Sequence, residues 1–420
     1  MRIKNIKARE ILDSRGNPTI EVELEVKNNF FCASSPSGAS TGKNEAMELR
    51  DKDNKRYRGK GVLNAINNIN EIIAPALKGK SVLKQEEIDK LLIELDGTKN
   101  KSKLGANAIL SVSMAVCRAG AFFNNLKLYE YIKGILSYKK SLNSDNFKIP
   151  FPCFNIINGG VHAGNDLDIQ EFMVIPCGDS FSYNLEMGVN IYYSLREILI
   201  DEFGKNAINV GDEGGFAPPI SKSEKTLNTI LKAAKDFLNN VKIGIDCAAS
   251  HFYTADKRYF FENKFLKREE LLSIYKDFIK KYPIIIIEDP FSEDDIVGWK
   301  NMSLSLNDKM NEILIVSDDL TVTQKDKIEV VIKKKCANAL IIKPNQVGTI
   351  TETIESVRTA KMAGFKIIAS HRSGETNDDF IADLAVGIEA DFIKAGAPVR
   401  GERVSKYNRL LKIEKEIMSK

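Results

Sequence analysis

Three acidic residues, Asp246, Glu288 and Asp318, each fall at the end of a short apolar run: VKIGID (241 to 246), IIIIED (284 to 289) and ILIVSDD (313 to 319). If these runs are neighbouring parallel strands, their C-terminal ends point the three carboxylates into one mouth, where like charges repel unless a cation neutralises them. Oxygen-only ligation favours Mg²⁺ or Mn²⁺ over zinc, with ligands for magnesium at roughly 2.0 to 2.1 Å. One acid after a strand is as often a turn or N-cap residue. Three in sequence order point to a metal site.

The next three runs, ALIIKPN (339 to 345), FKIIASHR (365 to 372) and DFIKAG (391 to 396), end instead in Lys343, in His371 with Arg372, and in Lys394. The same mouth would therefore carry cations opposite the metal, which suits a substrate with several negative charges. A lysine beside another lysine, an arginine and a metal ion is expected to have a depressed pKa, the condition for a general base near neutrality. Either Lys343 or Lys394 could serve. An idle lysine at the end of a buried run would be costly.

Such an arrangement needs a particular scaffold. Successive strand-end residues lie 23 to 42 positions apart, each interval long enough for one crossover. Helical period marks one helix ahead of the first of these runs, at Leu227, Ile230, Leu231, Ala234, Phe237 and Leu238, and another between the first two, at Leu271, Leu272, Tyr275, Phe278 and Ile279. No GxGxxG follows a strand, so six consecutive βα units favour a closed barrel over an open doubly wound sheet.

Before the barrel the pattern differs. PTIEVELEV (18 to 26) alternates as a half-buried antiparallel strand does, and FFCAS (30 to 34) could pair with it. Apolar positions from Val62 to Leu77 follow a helical period, and Ala106 to Phe123 is small and apolar nearly all round, as a buried helix would be. The polar stretch 137 to 148 reads as a linker, giving an α+β domain over 1–136 and the barrel over 149–420.

With Lys+Arg 61 against Asp+Glu 57, the net charge of +4 is too small for this length to imply a nucleic-acid or membrane partner. The six cysteines form no CxxC pair, so neither a zinc site nor a disulfide framework is expected. A reducing cytoplasm fits. The N-terminus has no apolar signal region, and the longest aliphatic run, Ile284 to Ile287, is far too short to span a bilayer.

Motifs along the whole chain carry a resemblance. AREILDSRGNPTIEVEL (8 to 24), SPSGASTGKNEA (35 to 46), NGGVHAGNDLDIQEFM (158 to 173), VGDEGGFAP (210 to 218), IEDPF (287 to 291), SDDLTVT (317 to 323), IKPNQVGT (342 to 349), SHRSGET (370 to 376), IKAGAP (393 to 398) and ERVSKYNRLLKIEKE (402 to 416) closely resemble enolase. The resemblance implies an α/β fold, an eight-stranded βα barrel of the enolase type behind an N-terminal α+β domain. It implies the interconversion of 2-phosphoglycerate and phosphoenolpyruvate, a hydro-lyase reaction of glycolysis and gluconeogenesis, with two Mg²⁺ per site.

By the same resemblance, Asp246, Glu288 and Asp318 would hold the first Mg²⁺ and Ser40 the second. Lys343 would take the C2 proton with Lys394 assisting, and Glu213 would protonate the departing C3 hydroxyl, with Glu171 as its partner and Gln170 alongside. Arg372 and Ser373 would bind phosphate, while His162 and His371 lie close to the substrate. A homodimer or higher homo-oligomer is implied, in the cytoplasm, with the cell surface or secretion without a signal peptide as a further location. Two positions depart from the family's pattern: Pro344 after the lysine, where a branched aliphatic is common, and His251 in place of a glutamate. Two rivals stand beside this reading. One is a racemase or acid-sugar dehydratase on the same scaffold; the other is a noncatalytic surface or scaffolding protein that kept the fold.

Overall fold

The computed structural model describes residues 1–38, 42, 44–137, 147–306 and 312–419. The alternating segment forms strand β2 (Pro18–Val26), paired antiparallel with β1 (Ile3–Leu12) on one side and β3 (Asn29–Ser34) on the other. Ile20, Val22, Leu24 and Val26 share one face of β2 and are fully buried, as a period of two requires. The helix Ala106–Phe123 packs on that sheet. It is long and apolar enough to cross a membrane, but 83% of it is buried inside the protein, so its all-round apolar surface serves a core.

Helix also forms over 63 to 77, with one difference: a π turn, Asn68–Ile73, joins Leu63–Asn67 to Ala74–Leu77. The wider turn offsets the apolar stripe. Ile66, Ile69, Ile73 and Leu77 are buried, whereas Leu63 and Ile72, expected on that face, are exposed. Of the linker expected at 137 to 148, residues 138–146 lie outside the described residues.

Eight strands follow: β4 (Phe151–Asn158), β5 (Glu171–Pro176), β6 (Val241–Asp246), β7 (Ile284–Glu288), β8 (Leu314–Ser317), β9 (Ala339–Ile342), β10 (Lys366–Ser370) and β11 (Phe392–Lys394). They close into a barrel, each beside its neighbour in the chain and β11 beside β4. The last six are the runs read from the sequence. Alternate residues Cys153, Met173, Ile175, Ile286, Leu314, Val316, Ala339, Ile341 and Ile368 form a separate buried cluster, the filling of the barrel. A larger cluster lies between the strands and the surrounding helices and runs on through the core of the N-terminal sheet and its helices.

Uniform βα repetition fails at one place. Strand β5 runs antiparallel to both β4 and β6. The connection 159–170 contains only the short 3₁₀ turn Gly160–His162, and a parallel return needs a crossover that is usually a helix. The chain therefore turns straight back. This reversal brings the N-terminal end of β5, Gln170 and Glu171, to the mouth where the other strands end.

Candidate active site

Strand register assembles the mouth. Asn158, Glu171, Asp246 and Glu288 are successive cross-strand partners, and Glu288 pairs with Val316, two residues before Asp318. From the other side Ser370 pairs with Lys394. One pocket is lined by His162, Gln170, Glu171, Glu213, Asp246, Asp318, Lys343, His371, Arg372, Ser373 and Lys394. Glu288 meets it through Lys394, whose Nζ lies 2.7 Å from Glu288 Oε2 and 3.1 Å from Asp246 Oδ2. Ser40 falls outside the described residues.

Asp246, Glu288 and Asp318 are all buried. Asp246 Oδ1 accepts the Ala248 N–H at 3.0 Å, and Asp318 Oδ1 accepts Gln346 Nε2 at 2.9 Å. Asp289, at left-handed φ 40°, receives the N–H groups of Asp318 and Asp319 on its two oxygens, each at 2.9 Å, and so fixes the turn that carries Asp318. Burial, with Asp246 adding to it, pushes the Glu288 carboxyl up to about 8. Among the described residues its Oε1 finds no donor. Three buried oxygen donors that cannot all stay charged on their own, one with an unused lone pair, suit a hard divalent cation in their chemistry, although the carboxylates whose ligand atoms already lie within 4.8 Å of one another are Asp289, Asp318 and Asp319.

The cations do not behave as the sequence suggests. Burial pulls Lys343 and Lys394 down, but carboxylates outweigh it: Asp318 pairs with Lys343 and holds it above the ordinary lysine value, while Glu171, Glu288 and Asp246 hold Lys394 well above it. The expected depression would need those carboxylates to be engaged elsewhere.

Across the mouth stands an acid pair. Ligand atoms of His162, Glu171 and Glu213 all lie within 4.8 Å of one another. Burial and the Glu213 charge raise the Glu171 carboxyl well above its usual range. Burial would raise Glu213 too, but His371 and His162 hold it well below. Asn155 Nδ2 donates to Glu213 Oε2 at 2.9 Å, and His371 Nε2 lies 3.6 Å from the same oxygen. One proton shared unequally between two carboxyls is what such proximity produces.

At the third side Arg372 donates from Nη1 to Glu45 Oε2 at 2.9 Å and to Asn345 Oδ1 at 3.0 Å. A Cβ on Gly38 would overlap the Arg372 guanidinium, which would then have to shift away from Glu45 and Asn345.

With this geometry in place, comparison with known proteins becomes specific. The enolase C-terminal TIM barrel domain matches residues 146–420, and the enolase N-terminal domain matches 3–132. The chain belongs to the enolase family. Among its relatives, enolase B of Dictyostelium discoideum is 50% identical over 431 residues, covering 99% of this chain and 95% of that protein. The enolase of Methanocaldococcus jannaschii is 49% identical over 419 residues, covering 99% and 95%. Enolase 1 of Entamoeba histolytica is 46% identical over 431 residues, covering 99% and 97%.

Both departures from the enolase pattern can be placed. Pro344 opens a 3₁₀ turn, Pro344–Gln346, just beyond β9, where its missing N–H would be an orphan in any case. His251 sits exposed at the pocket rim on the turn Ala249–Phe252. Sequence reasoning did not single out Asn155, Glu45, Asp289, Gln346 or Arg403. Asp289, Gln346, Glu45 and Arg403 stand inside quoted enolase-like motifs, so the motifs held the signal without saying what each residue touches. Asn155 offered none.

Proposed function

We propose that this chain catalyses the reversible dehydration of 2-phosphoglycerate to phosphoenolpyruvate, on a site that takes Mg²⁺ at Asp246, Glu288 and Asp318. The observation that carries the reading is a basic group and an acidic pair lining one buried, charged mouth: Lys343, which follows β9 and lies beside Asp318, and Glu171 with Glu213, where Glu171 opens β5, four strands round the eight-stranded barrel from β9. Removal of a proton at one carbon and of hydroxide at the next needs that separation.

Lys343 is the base for the C2 proton. Asp318 keeps it protonated here; once that carboxylate is committed to a cation, Arg372 and Lys394 are the neighbours that favour its neutral form. When bound, magnesium supplies positive charge against which the substrate carboxylate can accept a second negative charge. Lys394, among three carboxylates, contributes fixed positive charge at the same end.

Glu213 delivers a proton to the C3 hydroxyl, and Glu171, the member of the pair that holds the proton in this arrangement, replenishes it. His162, on the turn Gly160–His162, flanks both acids. Gln170 is anchored by its N–H to the Asp246 carbonyl at 3.0 Å. Arg372 and Ser373 bind phosphate, with Arg372 exchanging the Glu45 carboxylate for phosphate oxygens. The second Mg²⁺ at Ser40, the domain division 1–136 and 149–420 and a homodimer are part of the same proposal.

Spectrophotometric detection of phosphoenolpyruvate, with Mg²⁺ and after chelation, tests it. A purely scaffolding protein would produce none.

A further inference from the structure

The helix Gly401–Met418 places three long polar side chains, Arg403, Lys406 and Tyr407, behind the site loops, each almost completely buried. Arg403 is the unusual one. It is a buried cation in the first turn of a helix, the end at which the helix dipole disfavours positive charge, and an unpaired charge there would be prohibitive. Its charge faces the Glu402 carboxylate, 3.5 Å from Nε, and its fork is spent on acceptors from two separate segments of the site. Nη1 reaches His371 Nδ1 at 2.6 Å and the Arg372 carbonyl at 2.7 Å; Nη2 reaches the Ser373 carbonyl at 2.6 Å and the Asp212 carbonyl at 3.0 Å. The stem is wedged as tightly: a Cβ on Gly396, at φ +89°, would stand 2.7 Å from the Glu213 carbonyl and 2.9 Å from Arg403 Cδ.

An arginine can only donate, so Nδ1 of His371 must be the acceptor and the ring proton must sit on Nε2. That nitrogen faces Glu213 Oε2 at 3.6 Å. We propose that Arg403 is a positioning residue for the reaction: its guanidinium fixes His371 as the neutral Nε2–H tautomer directed at Glu213, and ties the Asp212–Glu213 segment to the His371–Ser373 segment. The proposal rests on the dehydratase reading for its effect on turnover, but not for the tautomer.

The groups facing the His371 ring are Glu213 from its loop, Arg403 from the C-terminal helix and Glu375 from its own segment, while its N–H donates to the Lys394 carbonyl at 2.9 Å. Burial holds the ring down at about 4, with Arg403 lowering it further against the two glutamates. Glu213 therefore has a hydrogen-bond donor beside it that stays uncharged across the working range.

Nitrogen-15 NMR of the imidazoles provides the direct test, and with three histidines in the chain assignment by single substitution is straightforward. In the wild-type protein His371 should show a protonated Nε2, a bare Nδ1 and no titration above pH 5. In Arg403→Met the tautomers should mix and the midpoint rise, and kcat should fall on the order of 10- to 100-fold with KM changed far less, the scale of a misplaced catalytic group. Arg403→Lys keeps the charge but lacks the fork; it should fold, restore the low His371 midpoint and recover only part of kcat. A wild-type His371 protonated on Nδ1 or titrating near 6.5 overturns the proposal whatever the variants do. So does an Arg403→Met protein that folds and keeps both the tautomer and kcat. Wild-type protein that shows the Nε2–H tautomer but turns over no 2-phosphoglycerate would sink the proposed reaction and leave the tautomer assignment standing.

Discussion

The ammonium of Lys394 lies 2.7 Å from Glu288 Oε2, joining the last strand of the barrel to the fourth across its mouth. A lysine thus balances part of the charge that a divalent ion would balance, and the ion must compete with it. On the proposed reading Glu288→Gln removes a ligand and its charge together. Magnesium affinity should fall by roughly 100-fold or more, given that partners one layer further from a metal already cost 10- to 100-fold. Calorimetric titration measures this; unchanged Mg²⁺ binding would remove Glu288 from the site.

The raised Glu288 carboxyl also predicts how stability depends on pH. Between its ordinary value of 4.5 and about 8, the folded protein without Mg²⁺ holds a proton that the unfolded chain has released, so stability falls as pH rises through that window. His371 acts the other way. Between about 4 and 6.5 the unfolded chain binds a proton the folded one refuses, so its contribution is gained as pH rises. Thermal melts without Mg²⁺ should lose on the order of a few degrees from pH 6.5 to 8, and Glu288→Gln or saturating Mg²⁺ should reduce that slope, with Asp319, raised to about 7, contributing to the remainder. A slope unaffected by either would point to another group.

Acid and base can be separated by isotope exchange. Lys343→Ala should abolish exchange of the C2 proton with solvent while 2-phosphoglycerate still binds; Glu213→Gln should preserve exchange but lower loss of the hydroxyl by roughly 10² to 10⁴-fold. If both variants lost exchange equally, the two roles would have to be reassigned.

Arg372 is tied to Glu45, and the proposed phosphate role requires an anion to displace that carboxylate. Arg372→Gln keeps a polar side chain but no charge, and should raise KM for 2-phosphoglycerate roughly 10- to 100-fold, the worth of a hydrogen bond to a charged group. Steady-state kinetics would show whether KM or kcat carries the loss, and a change in kcat alone would argue against phosphate binding.

Much of this is legible in the sequence itself. Apolar runs ending in Asp246, Glu288, Lys343 and Lys394 are strands whose ends meet, because in a parallel barrel the residue closing each run faces the same mouth. Glu171 escaped that logic: it begins its strand instead of ending one, and only the short 159–170 connection, which reverses β5, brings it round. The charge state of Lys343 was misread because spacing shows which residues share a mouth, not that Asp318 would lie against the lysine. Arg403 belongs to a helix beyond the last strand, and nothing in its period separates a buried tether from a solvated arginine. The residue types were in the sequence; their pairings required the fold.

The central claim is most directly met by assaying folded, Mg²⁺-loaded protein for conversion of 2-phosphoglycerate to phosphoenolpyruvate. The expected result is turnover that disappears on chelation and returns when Mg²⁺ is restored. Absence of phosphoenolpyruvate from folded protein shown to hold Mg²⁺ would contradict it.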